Sequence, residues 1–96
     1  MTISTSYENE GAIVSVTGRL DSSTSKKLGD ELALILTTAQ HDITLDFSAL
    51  QFISSAGLRI IFSAHKKCRS AGKTLEIVGA NASIKEVFDI TGYSGI

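Results

Sequence analysis

The chain has 96 residues, of which 43% are hydrophobic and 20% are charged, as expected for one soluble globular domain. Nine basic and ten acidic residues give a net charge of −1 with no block of either sign, which argues against nucleic-acid binding. No apolar run reaches the length of a membrane span, and the amino terminus lacks the pattern of a signal peptide. We therefore expect a cytoplasmic protein that binds neither nucleic acid nor membrane, and the single Cys68 fits a reducing compartment.

Hydrophobic periodicity predicts strands alternating with helices. The predicted elements are, in chain order, strands over residues 2–8 and 12–17, a helix over 24–38, a strand over 43–47, a helix over 55–70, a strand over 74–78 and a helix over 82–90. The first two strands are joined by a short turn and should form a hairpin. Short strand–helix repeats then favour right-handed crossovers and mainly parallel pairing, within one domain over residues 1–96.

The third predicted strand indicates how the layers are arranged. Ile43, Leu45 and Phe47 alternate with polar residues, among them Thr44 and Asp46. A parallel strand covered by helices on both faces is usually apolar throughout. One polar face therefore predicts an α/β fold with a mixed, mainly parallel sheet and helices packed on one face only.

Two serines lie at the predicted start of the second helix, after the third strand and a short loop. Ser54 or Ser55 would stand where unpaired backbone N–H groups and the positive end of the helix dipole point outward. Such a position suits a bound or covalently attached phosphate. Serine is also one of the commonest helix caps, so position alone favours a capping role.

Residue patterns typical of enzymes do not appear. His41, His65 and Cys68 do not have the spacing of metal ligands, and no histidine–aspartate pair is evident that would activate a serine. The glycines form neither a phosphate-binding loop nor a dinucleotide-binding fingerprint. We therefore expect a protein that is not an enzyme and that needs no metal or cofactor.

Three runs together resemble a known family. They are, in chain order, Val16-Thr17-Gly18-Arg19-Leu20-Asp21, then Phe52-Ile53-Ser54-Ser55-Ala56-Gly57-Leu58, then Leu75-Glu76-Ile77-Val78-Gly79 followed by Thr91-Gly92. They are similar to the signatures of the STAS domain family, in the family's order and across nearly the whole chain. The small soluble members of that family are anti-sigma factor antagonists.

The resemblance implies a phosphorylation-controlled exchange of partners. In that mechanism an anti-sigma factor with serine-kinase activity binds the antagonist, releases its sigma factor and phosphorylates the antagonist, and a serine phosphatase restores it. Ser55 matches the phosphorylated serine, with Ser54 as the alternative site, although many relatives have aspartate where this chain has Ser54. The residues that the resemblance assigns to partner binding are Asp21, Ser22, Ser54, Ala56, Gly57 and Leu58.

A phosphate would act through its charge. It adds about −1.5 to −2 charges at Ser55. The helix start tolerates this added charge, whereas an interface that already contains Asp21 and Asp46 is weakened by it. We predicted both carboxylates to lie at the same end of the sheet as Ser55. The alternative is a STAS scaffold subunit of a signalling or lipid-transport complex that is not phosphorylated. We expect a monomer or a weak dimer, the latter supported by an exposed edge strand near the carboxyl end of the chain.

Overall fold

The computed structural model describes residues 1–8, 11–38 and 42–90. Its elements are β1 (Thr2–Glu8), β2 (Gly11–Leu20), α1 (Ser25–Thr38), β3 (Ile43–Asp46), β4 (Leu50–Ile53), α2 (Ser55–Ser70), β5 (Leu75–Val78) and α3 (Ala82–Ile90). All seven predicted elements are confirmed, and β4 is an eighth that the sequence pattern did not predict. The turn residues Asn9 and Glu10, His41 and the pair Thr91-Gly92 lie outside the described residues.

The five strands form one mixed sheet. β1 and β2 pair antiparallel as the expected hairpin, whereas β2 pairs parallel with β3 and β3 pairs parallel with β5. β4 is parallel to the second half of β2. The sheet is therefore mainly parallel, as predicted, and together with the three helices it makes a small α/β domain.

β2 pairs with two short strands in succession. Ala12 to Ser15 pair with β3, and Gly18 to Leu20 pair with β4. Gly18 pairs with Leu50 and Arg19 with Phe52, so the register of the second pairing shifts by one residue at Gln51. Gly18 has a φ of +89°, a conformation that side-chain-bearing residues rarely adopt. Its N–H donates to the carbonyl of Ala49 at 3.1 Å, which holds the turn that leads into β4. The strand predicted to stop at residue 17 thus extends three residues further.

The hydrophobic core lies between one face of the sheet and the helices. The buried side chains on that face are Ala12, Val14, Val16, Ile43, Leu45 and Leu75. Ser15, Thr44 and Glu76 point from the same strands to the opposite face, where side chains are exposed or only partly buried. This confirms the prediction that helices pack on one face of the sheet. None of the described helices has both the length and the apolar character needed to cross a bilayer.

Candidate functional site

Two neighbouring parallel strands end side by side at the candidate site. The last residue pair between β2 and β4 joins Leu20 to Ile53. The backbone N–H of Ser54 then donates to the carbonyl of Leu20 at 2.8 Å. Strands in a sheet are about 4.8 Å apart, so Asp21 and Ser54 leave their strands as neighbours. The fold thereby brings together two motifs that are more than 30 residues apart in the sequence.

The two serines at the start of α2 have different structural roles. Ser54 is the N-cap, with extended backbone angles (φ −94°, ψ 172°), and its hydroxyl accepts a hydrogen bond from the N–H of Gly57 at 3.2 Å. Ser55 is the first residue of the helix and its side chain is exposed. Its hydroxyl makes no hydrogen bond to any other residue that the structure describes. The capping role that the sequence suggested therefore belongs to Ser54, and Ser55 presents its hydroxyl to solvent.

Asp21 organises the turn that connects β2 to α1. Its Oδ1 accepts hydrogen bonds from the N–H and hydroxyl of Ser23, at 3.0 and 2.7 Å, and from the N–H of Thr24 at 3.1 Å. These donors, the Ser23 hydroxyl first, lower the pKa of the Asp21 carboxyl and keep it ionised. Ser22 lies exposed at the outside of the same turn. A fixed negative charge and an exposed hydroxyl thus stand beside the start of α2.

Three further predicted site residues follow Ser55 in the first turn of α2. Ala56 is partly exposed, but Gly57 is buried and Leu58 is only 8% exposed. A Cβ atom at Gly57 would stand 2.9 Å from Leu20 Cγ and 3.0 Å from Ile53 Cγ1, closer than carbon atoms pack. Direct contact with a partner therefore fits Ala56 and does not fit Gly57 or Leu58. Gly57 lets the helix pack closely against the ends of β2 and β4, and Leu58 is part of the hydrophobic core.

Asp46 is the last residue of β3 and lies at the same end of the sheet as Asp21, as predicted, but further back along the strands. It pairs with Ser15, five residues before Leu20 along β2, which corresponds to about 16 Å at 3.3 Å per residue. Its carboxylate accepts hydrogen bonds from the N–H and hydroxyl of Ser48, which lower its pKa. Asp21, rather than Asp46, therefore leaves its strand beside Ser54.

Arg19 and Phe52 form a surface pair next to the site that the sequence analysis missed. They are register partners on β2 and β4, and the Arg19 guanidinium carbon lies 4.3 Å from the centroid of the Phe52 ring. Phe52 is 38% exposed, a large fraction for an aromatic side chain. Arginine and aromatic side chains are frequent anchors in protein interfaces. Both residues stand within the resembling motifs, but without β4 nothing indicated that they touch.

The start of α2 is electrostatically suited to a phosphate. Its first turn contains no acidic residue, so the unpaired backbone N–H groups face no competing carboxylate there. Arg59 is exposed four residues after Ser55 and therefore lies on the same side of the helix, one turn further along. A phosphorylated Ser55 would gain both the helix dipole and this cation. The chemistry that the site supports is acceptance of an anionic group, which the Asp21 carboxylate on the neighbouring turn opposes.

Neither a metal centre nor a reactive thiol emerges in the part of the chain that the structure describes. There, no three histidine, cysteine, aspartate or glutamate side chains come close enough to hold a metal ion. Cys68 is buried among apolar residues, and desolvation raises the pKa of its thiol, which disfavours the nucleophilic thiolate.

Comparison with known proteins shows the family to which the chain belongs. The family model described as "Mlab, STAS domain" matches residues 3–96. A protein of Bordetella bronchiseptica named as an anti-sigma factor antagonist, BtrV, is 31% identical over 84 residues, which cover 88% of this chain and 72% of that protein.

Solved structures show the same fold. The structure of an anti-sigma factor antagonist from Thermotoga maritima superimposes with a TM-score of 0.87 at 19% identity, covering 94% of this chain and 78% of that one. The Bacillus cell fate determinant SpoIIAA in its phosphorylated form gives a TM-score of 0.77 at 16% identity, covering 96% and 85%. At these identities the two structures establish the fold alone. Together with the family model and the sequence relative, they show that the chain belongs to the STAS domain family and is related to the anti-sigma factor antagonists.

Proposed function

We propose that this protein is a phosphorylation-controlled antagonist of an anti-sigma factor, acting in the cytoplasm as a single STAS domain over residues 1–96. In the unphosphorylated form it binds an anti-sigma factor that is also a serine kinase, and the sigma factor is released. The kinase then phosphorylates Ser55, and the modified protein dissociates. A serine phosphatase returns it to the binding form.

The observation that carries this proposal is the division of roles between the two serines. Ser54 accepts the capping hydrogen bond, so the start of α2 is held without any contribution from the Ser55 side chain. The exposed Ser55 hydroxyl is then open to a kinase, and its modification leaves the cap in place. A switch residue needs this independence, because the fold must survive in both states.

The proposed binding surface surrounds Ser55. It comprises Asp21 and Ser22 from the turn after β2, Ala56 from the first turn of α2, and the Arg19–Phe52 pair on the adjacent strands. Within the protein, a phosphate on Ser55 lies at the favourable end of the α2 dipole. In a complex, the same phosphate must be desolvated close to the Asp21 carboxylate. A penalty of about 3 kcal/mol would weaken binding by more than 100-fold, enough to exchange partners.

The proposal is tested by mapping the phosphate. The wild-type protein, Ser55→Ala and Ser54→Ala are each incubated with ATP and the serine-kinase anti-sigma factor of the same host, then analysed by intact mass and phosphopeptide sequencing. We expect one phosphate on the wild type and on Ser54→Ala, and none on Ser55→Ala. Phosphate that persists in Ser55→Ala but disappears in Ser54→Ala would assign the modification to the capping serine and refute the proposal.

A second candidate function is a constitutive STAS scaffold in a signalling or lipid-transport complex. The observation in its favour is the family model itself, whose description names Mlab rather than an anti-sigma factor antagonist. A scaffold would use the same exposed surface without any modification. The discriminating experiment is a pull-down from the native host with and without ATP: a complex that ignores ATP and contains no kinase favours the scaffold, and an ATP-sensitive complex with a kinase favours the switch.

A further inference from the structure

The outer edge of β1 is unpaired among the residues that the structure describes. β1 runs for seven residues and pairs on one side with β2, and no other described strand lies against its second side. An edge of this length presents a row of backbone donors and acceptors to another strand. The usual protective devices are missing from it, since residues 2–8 contain neither lysine nor proline and their one charge, Glu8, is at the end.

We propose that this edge pairs with a second copy of the same chain, β1 against β1 in antiparallel orientation about a twofold axis at Thr5. Thr5 is the central residue of the strand, so this register pairs all seven residues. Ile3 then faces Tyr7 of the second copy, Thr5 faces Thr5, and Thr2 faces Glu8. No position is opposed by a like charge, so the strand is complementary to itself.

The side chains on the helix-facing side of β1 support this register. Tyr7 is 52% exposed, although it stands beside the buried Ala12 on the face of the sheet that carries the core. In the pairing Ile3 of the second copy covers Tyr7, and aromatic pairs with β-branched residues are among the favourable cross-strand combinations.

The geometry of the pair leaves the phosphorylation site free. An antiparallel twofold joins the two sheets into one and keeps the helices of both copies on the same face. In each copy Ser55 lies at one end of the strands, and the twofold axis places the two Ser55 residues at opposite ends of the dimer. Dimerisation and the proposed function are therefore independent, and either can fail without the other.

One strand edge is a small interface. Stable complexes bury about 1,200–2,000 Å², more than a seven-residue edge provides, so we expect a weak dimer with a Kd of about 10 µM to 1 mM. Sedimentation equilibrium across that concentration range measures it. A wild-type chain that remains monomeric up to about 1 mM would overturn the proposal.

Charged substitutions test the register directly. Ser4 and Ser6 are exposed on the open face of the sheet, and in the proposed register Ser4 of one copy faces Ser6 of the other. In a dimer of the double variant Ser4→Lys/Ser6→Lys, two pairs of lysines would face each other across the β1–β1 interface. In a dimer of Ser4→Glu/Ser6→Glu, two pairs of glutamates would do so. We expect each variant alone to be monomeric at concentrations where the wild type dimerises, and an equimolar mixture of the two to form a heterodimer.

The mixing step separates an interface effect from a folding effect. A substitution that only destabilised the chain would not be rescued by a second destabilised chain, and thermal unfolding of each variant at low concentration checks that the fold is kept. Restored dimerisation in the mixture supports the β1–β1 pairing. Wild-type dimerisation retained by both separate variants, or no heterodimer in a mixture of folded variants, would contradict it.

Discussion

The backbone N–H of Ser54 donates to the carbonyl of Leu20 at 2.8 Å, and this bond fixes the start of α2 beside the turn that contains Asp21. It continues the pairing of β2 with β4 by one step beyond the last residue pair, Leu20 and Ile53. The position of the exposed Ser55 hydroxyl therefore depends on strand pairing and on the cap, and not on the Ser55 side chain itself.

The capping role of Ser54 predicts an asymmetry between substitutions. Ser54→Ala removes the acceptor for the Gly57 N–H and should lower the free energy of unfolding by about 1 kcal/mol. Ser54→Asp keeps an acceptor and adds a negative charge at the helix start, so its stability should stay within about 0.5 kcal/mol of the wild type or exceed it. Urea denaturation of both variants measures this. Equal losses in the two would show that the hydroxyl does not cap the helix.

Gly57 tests how closely α2 approaches the sheet. Gly57→Ala places a methyl group 2.9 Å from Leu20 Cγ in a buried position, so we expect a loss of about 1–3 kcal/mol in unfolding free energy. Gly29→Ala in α1 is the matched control, because its new methyl meets mainly the mobile tip of Ile60, at 3.0 Å. Helix propensity should make that variant as stable as the wild type or up to about 1 kcal/mol more stable. Thermal and urea unfolding compare the two; a neutral Gly57→Ala would contradict the close packing.

Phe52 tests whether the partner surface extends onto the strands. If Phe52 anchors the complex, Phe52→Ala should weaken binding of the kinase by about 30-fold, corresponding to about 2 kcal/mol. Leu34→Ala is the control, since Leu34 is 61% exposed on α1, about 13 Å along the helix from its start near the site. Calorimetric titration of each variant with the serine-kinase anti-sigma factor measures the two affinities. Similar affinities for the two variants would place Phe52 outside the interface.

The lowered pKa of Asp21 predicts a pH effect of defined sign. A carboxyl whose pKa is lower in the folded state than in the unfolded state contributes stability above the unfolded value, and loses it as the pH falls through the folded value. Carbon-13 NMR titration should give a midpoint below the ordinary value of 3.8 for Asp21, and Ser23→Ala should raise it, because the Ser23 hydroxyl is the largest cause of the shift. A midpoint at or above 3.8 would show that the turn does not hold the carboxylate.

Hydrophobic periodicity in the sequence predicts every described element except β4, and the reason that β4 is missed is local. β4 does not alternate, since Gln51 and Phe52 are exposed in succession between the buried Leu50 and Ile53. The reason is the register shift between β2 and β4, which depends on the partner strand and leaves no periodic signal in the sequence. The predicted end of β2 at residue 17 has a similar cause, because a glycine that ends a strand and one that pairs beside a register shift look alike in the sequence.

The sequence allowed the motifs of the site to be predicted, but not the structural role of each residue in them. The serine pair and Asp21 could be recognised because they lie in runs that resemble a family. Which serine caps the helix depends on a single hydrogen bond, between Ser54 Oγ and the N–H of Gly57, and this requires coordinates. The close approach of Gly57 to Leu20 and Ile53 likewise depends on β4, which the sequence did not indicate.

The most direct test of the switch compares the affinity of two forms of the same protein for the serine-kinase anti-sigma factor. Isothermal titration calorimetry is performed with the unphosphorylated protein and with protein phosphorylated on Ser55, whose occupancy is checked by intact mass and whose fold is checked by circular dichroism. We expect the phosphorylated form to remain folded and to bind at least about 100-fold more weakly. Affinities that agree within about threefold would contradict the account.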